Sequence, residues 1–377
     1  MRKPGAGALP VLLGTFGFFG VFWGVFAVLL ADLARVLELS PGPLGTALFV
    51  GAASSIAAMA FLGRLSDRIG RKPFVLLSAL AFGCGIAALA ASGGYAALLG
   101  ALVLLYAASG LYDVGINASA VDLEQASGRR LMPVLHASFS AGGVAGALSA
   151  GALLQAGTGY RSVYLLTLAP LAAVMVAVAA ARLPRPRTRR DASPRLYRSP
   201  ALLLVALIAT LGLLAEGEME HWSGVYLRGT LGLPALVGGS GVAVFYGAMA
   251  AGRLGAAFVV ARLGDRTTIA WAGLLAACGM AFSLATTRPV LVVGGFLVVG
   301  LALAAVVPVA FSLAGDLAPE RAGAAITLVT TLGYGGFLLG PVVVGGLAEL
   351  VGLRLALLTI SAAGFLVFLL SLRLRTA

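Results

Sequence analysis

Asp113 stands inside an apolar run, with Asn117 one helical turn after it on the same face. Ser109 and Tyr106 lie one and two turns before it, and the same spacing leads on through Ala120 to Glu124. A single helix face thus carries a polar stripe. A carboxylate in a spanning helix costs about 3 kcal/mol, so it faces a cavity or a partner. Such a group can exchange its charge for a proton, which is the chemistry a proton-coupled carrier needs. The alternative is an acid neutralised for good by hydrogen bonds to Asn117 or His136. His136 begins the following apolar stretch, and Ser140 lies one turn deeper. Histidine titrates near neutral pH, so His136 suits either a proton relay or a bond to a neighbouring backbone. A third group is Glu216, Glu218, Glu220, His221 and Trp222. Glu216 and Glu220 share a helix face and Glu218 points elsewhere. These residues read as the outer end of their span, with Glu216 deepest and Glu218 and Glu220 in a solvated vestibule.

The elements that hold these residues follow from composition. Of 377 residues, 60% are hydrophobic and only 11% charged. Soluble domains carry about 25% charged residues, so this chain could not coat a water-soluble surface. It reads as an integral membrane protein. A helix needs about 20 apolar residues to cross the hydrocarbon. Twelve such spans are expected, at about 9–31, 43–62, 73–92, 95–120, 133–157, 162–181, 200–224, 235–260, 268–286, 290–313, 322–347 and 351–372. The runs are long, continuous and rich in Leu and Ala, which argues against strands. The first span follows Arg2 and Lys3 and is too long for the apolar core of a signal peptide, so it reads as a retained helix. Cys84 and Cys278 lie within apolar runs, and with only two histidines there is little material for a metal or a disulfide framework.

Charge sets the orientation. Twenty of the 26 Lys and Arg residues fall at the N-terminus or in alternate loops, five in the opposite loops, and Arg253 inside the eighth span. That bias places both termini in the cytoplasm of a multi-pass protein of the cell (inner) membrane. The longest polar segment, 182–199, holds seven arginines and three prolines and reads as a cytoplasmic linker. It separates six spans in 1–181 from six in 200–377. A repeat supports the division. Gly63-Arg-Leu-Ser-Asp67-Arg returns as Ala261-Arg-Leu-Gly-Asp265-Arg, each after the second span of its half. The expected fold is all-α, with two pseudo-symmetric six-helix bundles and a solute site between them.

The run Gly63-Arg-Leu-Ser-Asp67-Arg-Ile-Gly-Arg71-Lys closely resembles the motif between the second and third helices of the major facilitator superfamily. The resemblance covers the whole chain through helix count, halves and linker. It implies a cytoplasmic gate of Gly63, Asp67, Arg71, Glu124 and Asp265. Within that gate Asp67 would act near the eleventh helix, and Arg71 would pair with Glu124 or Asp122. A narrower resemblance is to the fucose-permease-like branch, carried by Gly110-Leu-Tyr-Asp113-Val-Gly-Ile-Asn117, by Leu131-Met-Pro-Val-Leu-His136 and by Glu216-Gly together with Trp222-Ser. His221 stands where that branch has an acid before the Trp. The stretch Gly340-Pro341-Val-Val-Val-Gly345-Gly346 has the look of a drug-antiporter glycine motif, but it lies in the eleventh span, where small residues also serve close helix packing.

The function these features imply is secondary active transport of a small organic solute by alternating access. Asp113, Glu216 and His136 are the proton-coupling candidates. The expected cavity lining is Phe19, Trp23, Tyr112, Asn117, Tyr246, Thr331 and Tyr334, with Thr327 and Phe337 at the same helical spacing. The alternative is a proton-driven efflux antiporter for lipophilic compounds. With one Asn and two Gln, the chain has few amide groups for a polyhydroxylated sugar, and this favours a partly apolar solute. An intramembrane enzyme would need a nucleophile–base set or clustered metal ligands, and neither is visible. A non-transporting receptor would have no need of the repeated loop motif. No Gly-x4-Gly-Lys-Ser/Thr loop is present to bind ATP. The expected partners are the solute, protons and the lipid bilayer, with no nucleic acid and no cofactor, and the chain is expected to act as a monomer. The topology has a direct check. With Cys84 and Cys278 replaced by serine, Ser193→Cys should resist an impermeant thiol reagent in intact cells and react once the membrane is opened. Ready labelling of intact cells would reverse the orientation.

Overall fold

Helices account for nearly all of the described backbone, and no strand occurs among the described residues. The computed structural model describes residues 7–63, 65–129, 131–183, 199–318 and 322–374, without the side chains of Pro133, residues 322–324 and Thr327. Most of the 182–199 linker and Arg64 of the loop motif therefore lie outside the described residues.

In the first half the helices are α1 (Ala8–Val36), α2 (Pro41–Leu62), the short α3 (Leu65–Ile69), α4 (Arg71–Ala91), α5 (Tyr95–Ser127), α6 (Met132–Gln155), α7 (Tyr160–Leu166) and α8 (Leu168–Ala180). The second half contains α9 (Pro200–Val225), which runs into a π-helical turn at Tyr226–Thr230, then α10 (Ala235–Leu263), α11 (Asp265–Leu284), α12 (Pro289–Leu317), α13 (Ala322–Val351), α14 (Leu353–Ala356) and α15 (Leu358–Ser371). Twelve spans are long and apolar enough to cross a membrane, α7–α8 and α14–α15 each forming one. All twelve fall where hydropathy places them. The first, fourth, seventh, tenth and eleventh run at least four residues further than expected, to residues 36, 127, 230, 317 and 351. Each extra stretch carries a charged residue, and a hydrophobicity criterion stops where the uncharged run stops.

The chain forms two compact units, one of Met1–Leu39 with Thr46–Thr188 and one of Ser40–Gly45 with Arg189–Ala377. Within each unit the same pairs of spans pack most extensively: α1 with α6 and α4 with α5 in the first, α9 with α13 and α11 with α12 in the second. The first and fifth spans of each half are thus partners, as are the third and fourth. The internal repeat is a repeat of packing as well as of loop sequence.

Glycine makes the first of these pairings possible. A Cβ on Gly20 of α1 would sit 1.8 Å from the Phe139 carbonyl oxygen of α6, and one on Gly142 of α6 would sit 2.0 Å from that of Gly17. Backbone-to-backbone approach of this kind drives helix association in lipid, where burial of apolar surface supplies little force between helices. Gly336 of α13 plays the same part against Thr210 of α9. Gly128 ends α5 in the left-handed conformation, φ +66°, so the chain turns into α6 within a few residues.

Gly20→Leu should therefore abolish the folded protein, whereas Gly100→Leu, where nothing lies within 4 Å, should be tolerated. Size-exclusion profiles and thermal melting in detergent check this. A well-folded Gly20→Leu protein would refute the close α1–α6 approach.

Candidate functional site

Polar groups in the first unit fall on two sides of α5. Residues 113 and 122 are nine apart, so their side chains project from opposite faces. Asp122 faces α4 and accepts a hydrogen bond from Arg71 Nε at 2.7 Å. Arg71 also reaches Ser66 Oγ at 2.8 Å and Asp67 Oδ1 at 2.6 Å. Arg71 and Asp122 are 9% and 7% exposed, so this ion pair is buried, and Ser66 closes its edge. Asp67 is largely solvated.

Glu124 is not a partner of Arg71. Its Oε1 accepts from the backbone N–H groups of Leu131 and Met132, the latter at 2.9 Å, and so caps α6. Glu124 lies two residues beyond Asp122, about 200° around the helix, and faces the hairpin rather than α4. Gly63 begins the short turn before α3. The second copy of the loop motif is built differently. Asp265 opens α11 directly, half-buried beside Asp316 of α12. Ile269 occupies the place corresponding to Arg71, so that carboxylate has no equivalent guanidinium.

Asp113 lies near the midpoint of the 33-residue α5 and is half-buried. Its Oδ1 accepts from Asn117 Nδ2 at 2.8 Å, and the same amide donates to the Asp113 carbonyl at 2.9 Å. The pair is made within one helix turn. His136 is exposed on α6, its ring meeting that of Phe16 edge-on at 5.4 Å.

Aromatic residues expected to line a solute cavity pack largely against one another. Tyr112 is fully buried, and its hydroxyl donates to the Thr15 carbonyl of α1 at 3.3 Å. Phe19 is enclosed by Trp23, Phe82, Tyr112 and Phe139. Neither is open to a solute. Tyr112 precedes Asp113 by one position, about 100° around α5, and this turns it onto α1. Trp23 is half-buried against Tyr106, and Asn117 is half-buried, so both keep accessible surface.

The second unit holds an ion pair within a span. Arg253 of α10 donates to Glu216 Oε1 of α9 at 2.7 Å. Glu216 lies near the middle of the 31-residue span Pro200–Thr230, not at its outer end. The expected end at 224 was too early, because the π-helical turn continues the helix. Glu220 follows one turn later on the same side, with the buried Tyr246 hydroxyl against it. Tyr246 is therefore a packing and hydrogen-bonding residue rather than an open wall.

Glu218 is no vestibule residue. It is fully buried, and Thr359 Oγ1 of α15 lies 2.7 Å from its Oε2. His221 is 2% exposed, and its Nδ1 donates to the Gly217 carbonyl at 2.7 Å, which fixes the tautomer. Its ring meets Phe337 edge-on. Pro341 within α13 cannot donate to the Phe337 carbonyl, and that oxygen faces Gly217. Gly340 packs on the Glu218 side chain. The glycine–proline stretch of α13 thus serves packing against α9. Thr331 and Tyr334 are exposed on α13, and the side chain of Thr327 lies outside the described residues. No group of three or more His, Cys, Asp or Glu able to hold a metal occurs among the described residues.

The sequence profile of the Major Facilitator Superfamily matches residues 11–286 and 225–377. An uncharacterized transporter of the same type from Yersinia pestis is 29% identical, the match covering 91% of each chain. Membrane protein MosC of Rhizobium meliloti is 31% identical over 95% of this chain and 88% of its own. Among solved structures, the nucleoside transporter NupG superposes with a TM-score of 0.82 at 14% identity, covering 97% of this chain and 99% of its own. A bacterial homologue of the human lysosomal transporter Spinster, in an inward-facing, occupied conformation, gives 0.82 at 14% identity over 99% and 97%. At these identities the two structures establish the fold alone.

The Arg71 network allows a graded test. Arg71→Ala strands a buried carboxylate and should cost about 3–5 kcal/mol. Asp67→Asn alters a solvated pair and should cost about 0–1 kcal/mol. Glu124→Ala removes a helix cap and should cost about 0.5–2 kcal/mol. Thermal unfolding in detergent should rank Arg71→Ala as most destabilising, then Glu124→Ala, then Asp67→Asn, and equal effects for Arg71→Ala and Asp67→Asn would contradict the buried pair.

Proposed function

The chain belongs to the major facilitator superfamily of membrane transporters, and we propose that it moves a small, partly apolar organic solute by alternating access, driven by protons that bind at Asp113. The observation that carries this reading is the contrast between two carboxylates within spans. Glu216 meets a guanidinium at 2.7 Å, whereas Asp113 meets a neutral amide. A carboxylate beside Arg253 keeps its charge neutralised without a proton. A carboxylate beside an amide in a low-dielectric setting has only a proton to neutralise it. Asp113 is thus the group whose protonation changes the net charge of its bundle.

The accessible side chains of each half, taken by itself, support the proposed solute class. Trp23 and Asn117 in the first half, and Thr331 and Tyr334 in the second, offer aromatic faces, hydroxyls and one amide. Such a set suits an amphipathic solute better than a sugar, whose hydroxyls call for several amides or carboxylates. Loop residues Asp67, Arg71 and Asp265 complete the reading as parts of a cytoplasmic gate, with both termini on the same side of the inner membrane. Proton-linked uptake is the direction proposed. The chain works as a monomer, needing only solute, protons and lipid.

A thermal-shift screen of the purified protein against a metabolite library identifies the solute, which is then used in proteoliposomes. Asp113→Asn copies the shape of the neutral acid. It should retain solute-for-solute exchange within a few fold of the native rate and lose accumulation driven by a pH gradient. Asn117→Ala should shift the pH at which transport is fastest and leave accumulation intact. If Asp113→Asn vesicles still concentrate solute under an imposed pH gradient, protons are not coupled there.

A further inference from the structure

The oxygens around Thr359 call for more hydrogens than its hydroxyl carries. Thr359 Oγ1 lies 2.7 Å from Glu218 Oε2 and 2.8 Å from the Ala356 carbonyl oxygen. Both neighbours are oxygens, and a threonine hydroxyl carries a single hydrogen. The Ala356 carbonyl depends on that hydrogen. It ends α14, and the helix breaks at Leu357 before α15 begins. The Ile360 N–H, which would serve Ala356 in an unbroken helix, donates to the Leu357 carbonyl at 3.1 Å instead. If Thr359 gave its hydrogen to Glu218, a carbonyl at this joint would be left without it. Glu218 would then be a fully buried carboxylate holding one hydrogen bond, because its Oε1 has no partner among the described residues. With a hydrogen on Glu218 Oε2, Glu218 donates to Thr359 and Thr359 donates to Ala356, and both bonds are made.

The geometry points to Glu218 as a proton-binding site inside the second half, whose neutral acid donates to Thr359 and ties α9 to α15. Among the described residues nothing else neutralises it. Arg253 of α10 is engaged by Glu216, which projects from a different side of α9 with Glu220 beside it. His221 gives its Nδ1 hydrogen to Gly217. Arg354 of α14 is bound to the carbonyls of Leu284 and Thr286. α13 presents Gly340 to the Glu218 side chain, and its titratable groups are Tyr334 and Glu349, the latter bonded to the Gly42 N–H. α12 has no titratable residue between 290 and 315, and α15 has none between 358 and 371. A carboxylate in such a place is stabilised by a proton or not at all. Losing that proton forces Thr359 to turn its hydrogen toward Glu218 and release Ala356. The α9–α15 tie and the α14–α15 joint then change together. This site is independent of Asp113, which belongs to the other half.

Infrared difference spectroscopy tests it on the full-length protein in lipid nanodiscs, with no solute present. A titration between acid and alkaline pH should show the carbonyl stretch of a protonated carboxyl group that shifts in heavy water, is missing in Glu218→Gln and survives in Asp113→Asn. Thr359→Val keeps the acid and removes its acceptor, so the same band should move to higher frequency. Should Glu218→Gln fail to fold, the Thr359→Val band decides alone. Protonated-carboxyl bands identical in native protein and folded Glu218→Gln would overturn the assignment, and so would a band unmoved by Thr359→Val. Failure of proton-driven accumulation at Asp113 would leave these spectra untouched, so the two readings fail separately.

Discussion

A charge held in hydrocarbon must be neutralised close by, and this constraint orders the polar chemistry of the chain. Four carboxyl groups within spans meet it in two ways. Asp122 is matched by Arg71 and Glu216 by Arg253, both at 2.7 Å. Asp113 has the amide of Asn117, and Glu218 has the hydroxyl of Thr359. The first two are fixed ion pairs that fasten neighbouring helices. On the reading proposed above, the latter two depend on a proton for neutrality. On that reading, the identity of the nearest partner divides structural from transported charge.

The scaffold makes those partnerships specific. Close glycine-mediated approach of α1 to α6 and of α9 to α13 sets the helix faces, and with them the direction of each polar side chain. On α5 the helical period sends Asp113 and Asp122 to opposite sides, one toward α4 and one away from it. On α9 it separates Glu216, facing α10, from Glu218, facing α15. Two acids two residues apart can then serve two unrelated tasks on one helix.

Much of this was legible in the residues themselves. The twelve spans follow from apolar length alone, and the Asp113–Asn117 pair from a spacing of four, because both are local properties. The partner of Arg71 was narrowed to two acids, and helical phase favours Asp122 once α4 is known to lie on that side. Glu216 with Arg253 was out of reach, since 37 residues separate them and only the packing of α9 on α10 joins them. Glu218 was misplaced for a different reason. Hydropathy falls at the run of acids before Trp222, so the span appeared to end there, while the backbone continues to Thr230 and leaves those acids at mid-depth. Residue type does not reveal whether an aromatic ring faces a solute or its own bundle, and Tyr112 and Tyr246 are buried within theirs.

The distinction between carboxylates that hold a guanidinium and those that hold a proton can be measured by counting protons. In weakly buffered detergent solution with a pH-indicating dye, solute binding to the native protein should exchange protons with the medium. Asp113→Asn should abolish that exchange while still binding solute, and a protein carrying Glu216→Gln together with Arg253→Met should retain it. The account is contradicted if Asp113→Asn exchanges protons as the native protein does, or if the exchange vanishes only when the Glu216–Arg253 pair is removed.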